Sequence, residues 1–184
     1  MHPSTLSDDE IADGLASGSA LSFRALYEAQ GRSVLGYLMR MTGRREMAEE
    51  LTQETFLMVI RKIGFYRKKA DGGLKAWVFR IATHLAIDAL RREKTSKKVT
   101  EKNVSFLEPV NSNSPMERFE RGELGKKLQS ALMKLNDTQR QIFLLKEQEE
   151  MNLLEISRVC GCSENAVKQK LFRIRTTLRK ILCE

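Results

Sequence analysis

Apolar residues recur with helical spacing in nearly every periodic segment of this chain, and the cleanest case lies near the C-terminal end. Over residues 164–182, at about 100° per residue, Val167, Leu171, Ile174, Leu178 and Ile181 fall on one stripe, the spacing of a buried helical face. The opposite stripe carries Asn165, Gln169, Phe172, Arg173 and Thr176, with Lys168 beside it. A shorter helical segment spans 153–160, and Gly161-Cys162-Ser163 separates the two, so the spacing predicts a helix-turn-helix. Ser163 suits the N-cap of the second helix, and Glu164 suits the positive end of its dipole. Amide, guanidinium and hydroxyl groups read base edges in the major groove, and a ring such as Phe172 fits a thymine methyl. An ordinary amphipathic helix with a solvated basic face shares this period. The turn, the caps and the polar composition together favour a reader of DNA.

Two further helices, 117–135 and 137–147, precede this unit, with Asn136 and Gln139 spaced as an N-terminal capping pair. Toward the N-terminus the pattern predicts three more. Residues 22–41 carry Phe23, Leu26, Tyr27, Val34, Leu38 and Met41, and Gly43 suits the helix end. Residues 45–63 bury Leu51, Thr55, Phe56, Val59 and Ile63. The third helix, 74–92, aligns Trp77, Arg80, His84, Asp88 and Arg91 on one stripe, with Val78, Ala82, Leu85, Ala86 and Ala89 opposite. Before it runs a loop, 64–73, that is basic, aromatic and glycine-rich at once. A tryptophan on a polar, largely basic stripe beside such a loop suits stacking an unpaired base and holding phosphates. A partly buried tryptophan among solvated charges fits the same residues. Glu46, Glu49, Glu50 and Glu54, with Gln53, make the 45–63 helix acidic. Such a face repels DNA and suits a basic protein partner, although the helix dipole also favours solvated acids there.

Between the two groups of helices, residues 95–115 hold two of the three prolines among Asn, Ser and Lys, with little amphipathic pattern. They read as a flexible linker. The expectation is an all-α chain with one small helical domain over 1–94 and another over 116–184. Each is near the lower limit for folding alone and needs a compact core. A net charge of +8 on 184 residues points to a polyanionic partner, with an anionic membrane surface second. No apolar run approaches the roughly 20 residues of a membrane span, so stable membrane insertion is not expected. The polar start, Met1-His2-Pro3-Ser4, is not that of a signal peptide.

Three cysteines without a framework suit a reducing cytoplasm. Cys160 and Cys162 flank Gly161, and with only His2 and His84 elsewhere they read as packing residues rather than metal ligands. A redox role for Cys160, Cys162 or Cys183 is left open. There is no phosphate-binding glycine loop and no Ser/His/Asp set. His84 and Asp88 lie one turn apart without a third group. No metal, cofactor or catalytic residue is therefore expected. A stand-alone helix-turn-helix regulator leaves the acidic helix and the Trp77 stripe unexplained, and a recombinase or nuclease lacks its catalytic cluster.

Three segments resemble conserved region 2 of the bacterial sigma-70 superfamily: 48–56 (AEELTQETF), 75–82 (KAWVFRIA) and 85–92 (LAIDALRR). The C-terminal block resembles region 4 through Glu155-Ile156, Cys162-Ser163 and 167–175 (VKQKLFRIR). With no space for a region 3 domain, the architecture resembles the extracytoplasmic-function (ECF) group of sigma factors. That resemblance implies an RNA polymerase initiation factor that confers promoter specificity and assists melting, and is not itself an enzyme. Glu50, Gln53, Glu54 and Phe56 would dock on the clamp of the polymerase largest subunit, with the flap as a second contact. Phe65, Lys68, Lys69 and Asp71, with Trp77, Arg80, His84, Asp88 and Arg91, would hold the melted minus-ten element. Ser163, Asn165, Lys168, Gln169, Phe172 and Arg173 would meet the duplex minus-thirty-five element. The resemblance also implies control by an anti-sigma factor and a cytoplasmic location, at the inner membrane where that factor is membrane-bound. His84 stands where many members carry Asn, Glu50 where Asp is usual, and Leu135 precedes Asn136 rather than Pro. Lys168 and Lys170 replace frequent arginines, which favours phosphate contact over bidentate guanine reading.

Overall fold

The computed structural model describes residues 6–97 and 123–183, and all regular elements among them are helical. The N-terminal half contains α1 (Asp8–Ala16), α2 (Ala20–Thr42), α3 (Arg45–Lys62), a 3-10 turn (Ile63–Phe65), the short α4 (Lys68–Asp71) and α5 (Leu74–Lys97). The C-terminal half contains α6 (Glu123–Lys134), α7 (Asp137–Glu147), α8 (Leu153–Cys160) and α9 (Glu164–Cys183).

Side-chain capping marks most starts. Asn136 accepts from the Gln139 amide at 2.9 Å while the Gln139 side chain accepts from the Asn136 amide, which closes a capping box. Asn152 and Glu155 repeat the device at α8. Gly43 (φ 69°) and Gly161 (φ 62°) end α2 and α8 in the left-handed conformation that glycine adopts without penalty.

Two features differ from the sequence pattern. Helix α1 was not anticipated; its nine residues carry only a short apolar face, Ile11, Ala12 and Leu15, behind a Ser7–Glu10 capping box. Helix α5 continues through Lys97, so residues 95–97, expected at the start of the linker, form its last turn. The remainder of the expected linker, 98–115, and the start of the 117–135 helix lie outside the described residues.

In the N-terminal half Leu26, Val34, Leu38 and Met41 of α2 meet Leu51, Phe56 and Val59 of α3 and Val78, Phe79, Ala82 and Ala86 of α5. Fully burying a side chain of the Val, Leu or Phe class contributes roughly 1.5–3 kcal/mol. Tyr37 lies edge-on to Phe79, and its hydroxyl shares a 2.8 Å hydrogen bond with Thr83. Burial pushes that phenol far up from its ordinary value. In the C-terminal half Leu132, Ile142, Leu145, Ile156 and Val159 receive Val167, Leu171, Ile174 and Leu178 of α9.

The two halves are packed together, and their buried residues form one contiguous cluster. Helix α8 lies against α5 and α4, and α6 and α7 lie against α2. Arg140 of α7 is the main polar group in this contact and is 4% exposed. Its guanidinium donates to the carbonyls of Leu132 and Leu135 at the end of α6 and, at 2.5 Å, to that of Met41 near the end of α2. One side chain thus satisfies orphan carbonyls of two helices from different halves.

Candidate nucleic-acid and polymerase interfaces

Helix α9 separates its faces as its period predicts. Val167 and Ile174 are fully buried, with Leu171 and Leu178 nearly so. Asn165, Lys168, Gln169 and Arg173 are all exposed, and Phe172 stands 75% exposed in their midst. Ser163 accepts from the Ala166 amide at 3.2 Å, so this hydroxyl is already used as the helix cap while remaining at the surface. Leaving a phenyl ring in water is unfavourable by its apolar area, and a thymine methyl in the major groove supplies a matching surface.

The second site is a cleft of about 360 Å³ lined by Lys62, Phe65, Trp77, Arg80, Ile81 and His84. Phe65 ends the 3-10 turn at 77% exposure, while His84, Asp88 and Arg91 continue along the exposed side of α5. Two residues expected to touch DNA have other work. Trp77 is 3% exposed, with its ring 5.4 Å from that of Tyr66. Helical projection puts Trp77 in line with Arg80 and His84, but the preceding loop folds back over the first turn of α5. Trp77 is therefore a wall of the cleft, and Phe65 is its free aromatic face. Asp71 is buried; its carboxylate accepts from the Arg67 amide at 2.7 Å and pairs with Arg80 at 2.7 Å. It holds Arg80 in position rather than facing a phosphate, which it would repel.

Lys68, also expected at the DNA, pairs with Asp9 of α1 at 2.5 Å. The Lys69 side chain lies outside the described residues. Gly72 (φ 80°) and Gly73 (φ 97°) turn the loop into α5, whose Leu74 amide donates to Asp8. Burial pushes the Tyr66 phenol up to about 12, with the nearby Asp8, Asp9 and Asp71 carboxylates acting in the same direction. Lys62 and Ile81 were missed as lining residues. Lys62 ends α3 just before the 3-10 turn, outside the quoted motifs, and Ile81, though within the 75–82 motif, lies beside the polar stripe rather than on it.

The third site is the exposed face of α3. Glu50, Gln53 and Glu54 are exposed as expected. Phe56 is not: at 2% exposure it lies against Tyr27, ring centroids 4.9 Å apart, and Phe23 at 6.3 Å. It supports this face from within. The exposed apolar residues here are Leu57 and Ile60. Leu57, which the sequence reading missed, follows Glu50, Gln53 and Glu54 by seven, four and three residues, a spacing that could have placed it on this face.

Cys160 is largely buried, and burial pushes its thiol up to about 12 while its sulfur accepts from Gln141. That is the environment of an inert structural thiol. Among the described residues no group of three or more His, Cys, Asp or Glu side chains could hold a metal ion, and no helix is long and apolar enough to cross a membrane.

Comparison with known proteins matches residues 26–95 to sigma-70 region 2 and residues 125–178 to sigma-70 region 4. The chain is 30% identical to the RNA polymerase sigma factor CarQ of Myxococcus xanthus, over 91% of this chain and 92% of that protein. It is 28% identical to the ECF RNA polymerase sigma factor SigM of Bacillus subtilis, over 85% of this chain and 92% of the relative. The same fold occurs in the sigma factor RpoE of Bartonella quintana, solved with the anti-sigma factor NepR. That match has a TM-score of 0.70 at 20% identity, over 87% of this chain and 96% of RpoE. The cleft and the acidic face of α3 fall within the region 2 match, and α8 with most of α9 within the region 4 match. The chain belongs to the RNA polymerase sigma factors of the sigma-70 family, in their ECF group.

Proposed function

We propose that this chain brings core RNA polymerase to its promoters by reading two states of DNA at two separate places. Exposed Lys168, Gln169, Phe172 and Arg173 of α9 read the upstream element as duplex. The cleft beside Phe65 and Arg80 captures an unpaired base of the downstream element, and His84, Asp88 and Arg91 follow the melted strand. The observation that carries this reading is the pairing, on one chain, of an exposed recognition helix with a polar aromatic cleft. A duplex reader alone has no use for the second. Extruding a base costs a few kcal/mol, and stacking on an aromatic ring returns about 1–3 kcal/mol.

Glu50, Gln53 and Glu54, with Leu57 and Ile60 beside them, dock on the polymerase clamp, and the C-terminal half meets the flap. The protein supplies recognition and the polymerase supplies the chemistry. No cofactor or metal enters the scheme. A regulator of the anti-sigma class, the partner of the structural relative, holds it inactive in the cytoplasm or at the inner membrane.

Run-off transcription from fragmented host DNA, with core polymerase and the purified chain, tests this. Discrete transcripts that need both components are expected. Sequence-specific DNA binding by the chain alone, with no transcripts, overturns the reading in favour of an ordinary regulator.

A further inference from the structure

Helix α1 lies before the region 2 match, which begins at residue 26, yet it is built against the cleft loop. Ile11, Ala12 and Leu15 anchor it in the core, and its body lies against α2 and the 3-10 turn that ends at Phe65. The Ser7–Glu10 capping box fixes where the helix starts, and so places Asp8 and Asp9 in its first turn.

The start of α5 shows what Asp8 does there. The Gly73 carbonyl accepts the first helical hydrogen bond of α5, from the Trp77 amide at 3.1 Å, which puts Gly73 at the N-cap. The amides of a first helical turn have no partner in their own helix, and a glycine has no side-chain oxygen to offer them. Gly72 (φ 80°) and Gly73 (φ 97°) hold left-handed conformations that favour glycine, so the sharp turn into α5 leaves no local capping side chain. Asp8, 66 residues earlier in the chain, takes that place: its carboxylate accepts from the Leu74 amide at 3.3 Å. Its charge also suits the positive end of the α5 dipole. Asp9 holds the other end of the loop through its 2.5 Å pair with Lys68, the first residue of α4. Between these two tethers lies Asp71, which fixes Arg80, and just before them Tyr66 covers Trp77. An exposed ion pair contributes little by itself. Combined with the distant cap and the apolar anchor of α1, it restrains the loop on both sides of Asp71.

We propose that α1 is a strap across the base-capture loop, with Asp8 capping α5 and Asp9 bracing α4, and that these two carboxylates are positioning residues for the melted strand. The inference rests on the capture reading proposed above. Neither carboxylate meets the DNA; both keep the cleft of Phe65, Trp77 and Arg80 formed before a base arrives. A base that enters a preformed cleft loses less of its binding to ordering the loop.

The test uses the full-length chain, with circular dichroism confirming unchanged helicity. Amide hydrogen exchange of the free protein reads the strap itself. Asp8→Ala should speed exchange at Leu74 and over residues 66–73 severalfold. Asp8→Asn, whose amide oxygen still accepts, should restore most of the protection. Asp9→Ala should act in the same direction around Lys68. Capture is read with core polymerase on a pre-melted fragment of a promoter recovered by run-off transcription, with one nucleotide at a time made abasic. In wild type one position should lose about tenfold in affinity, the order expected for stacking of one base. Asp8→Ala/Asp9→Ala should shrink that ratio severalfold and leave affinity for an upstream-element duplex unchanged. The ratio is the readout because removing two negative charges strengthens phosphate binding equally with and without the base. Unaltered exchange in the double variant overturns the strap, and faster exchange with an undiminished ratio overturns the positioning role. A wild type for which no single base matters overturns the capture reading and the positioning role with it, and exchange separates that result from absence of the strap.

Discussion

In the proposed reading, helix α9 and the cleft at the start of α5 address nucleic acid in opposite ways. The recognition helix is one continuous element: its inner stripe is buried, its outer stripe is exposed, and its reading residues follow from a single period. The cleft is assembled from the end of α3, a 3-10 turn, two left-handed glycines and the first turns of α5. A duplex presents an ordered groove that a rigid rod can enter. An unpaired base must be enclosed, and enclosure needs a loop folded over a wall. Substitutions in α9 should therefore separate folding from reading cleanly, whereas in the cleft the two are partly merged.

The largest expected effect marks that merger. Trp77→Ala removes a buried wall and should cost about 3–5 kcal/mol of stability, measured by denaturant unfolding. Loss of single-strand binding with stability unchanged would show instead that Trp77 is a free stacking platform. In α9 the matching change is Ile174→Ala, with an expected cost of about 2–5 kcal/mol. Its surface neighbour Arg173→Ala should leave unfolding within about 0.5 kcal/mol of wild type. Arg173→Ala should nonetheless weaken upstream-element use by roughly 1–3 kcal/mol if it meets a base edge.

Phe65→Ala sharpens the contrast from the other side. It should cost about 1–3 kcal/mol in binding the melted strand, with little change in unfolding or in duplex binding. Asp71→Asn keeps the shape but removes the charge that holds Arg80. It should weaken single-strand binding without touching the duplex site, and an unchanged affinity would show that Arg80 finds its position unaided. The smallest effect belongs to Lys68→Ala. If Lys68 leaves Asp9 for a phosphate, the slope of log affinity against log salt should flatten by about 0.7.

The same contrast explains what the sequence disclosed. Helix α9, its cap at Ser163 and its exposed polar face were legible because period, cap and composition act locally and agree. The capping box at Asn136, the helix end at Gly43 and the turn at Gly161 were legible for the same reason. Trp77 and Asp71 were not, because projection on one helix cannot show that another segment folds across it. Phe56 was assigned to both a buried stripe and a docking face, and packing against Tyr27 and Phe23 decides for the first. Leu57, on the same turn, carried a readable signal that the acidic residues around it obscured. The closed packing of the halves had no local signature. Arg140 reads as one more basic residue on an amphipathic helix until Met41, about a hundred positions earlier, supplies its acceptor.

Division of labour between the two sites is tested most directly by holoenzyme binding to two probes. One is a duplex that carries only the upstream element, and the other is a pre-melted fragment that carries only the downstream element. Arg173→Ala should lose affinity for the first and keep it for the second, and Phe65→Ala should do the reverse. If both variants weaken on both probes to the same extent, the sites do not read separate DNA states, and the assignment of duplex to α9 and melted strand to the cleft is wrong.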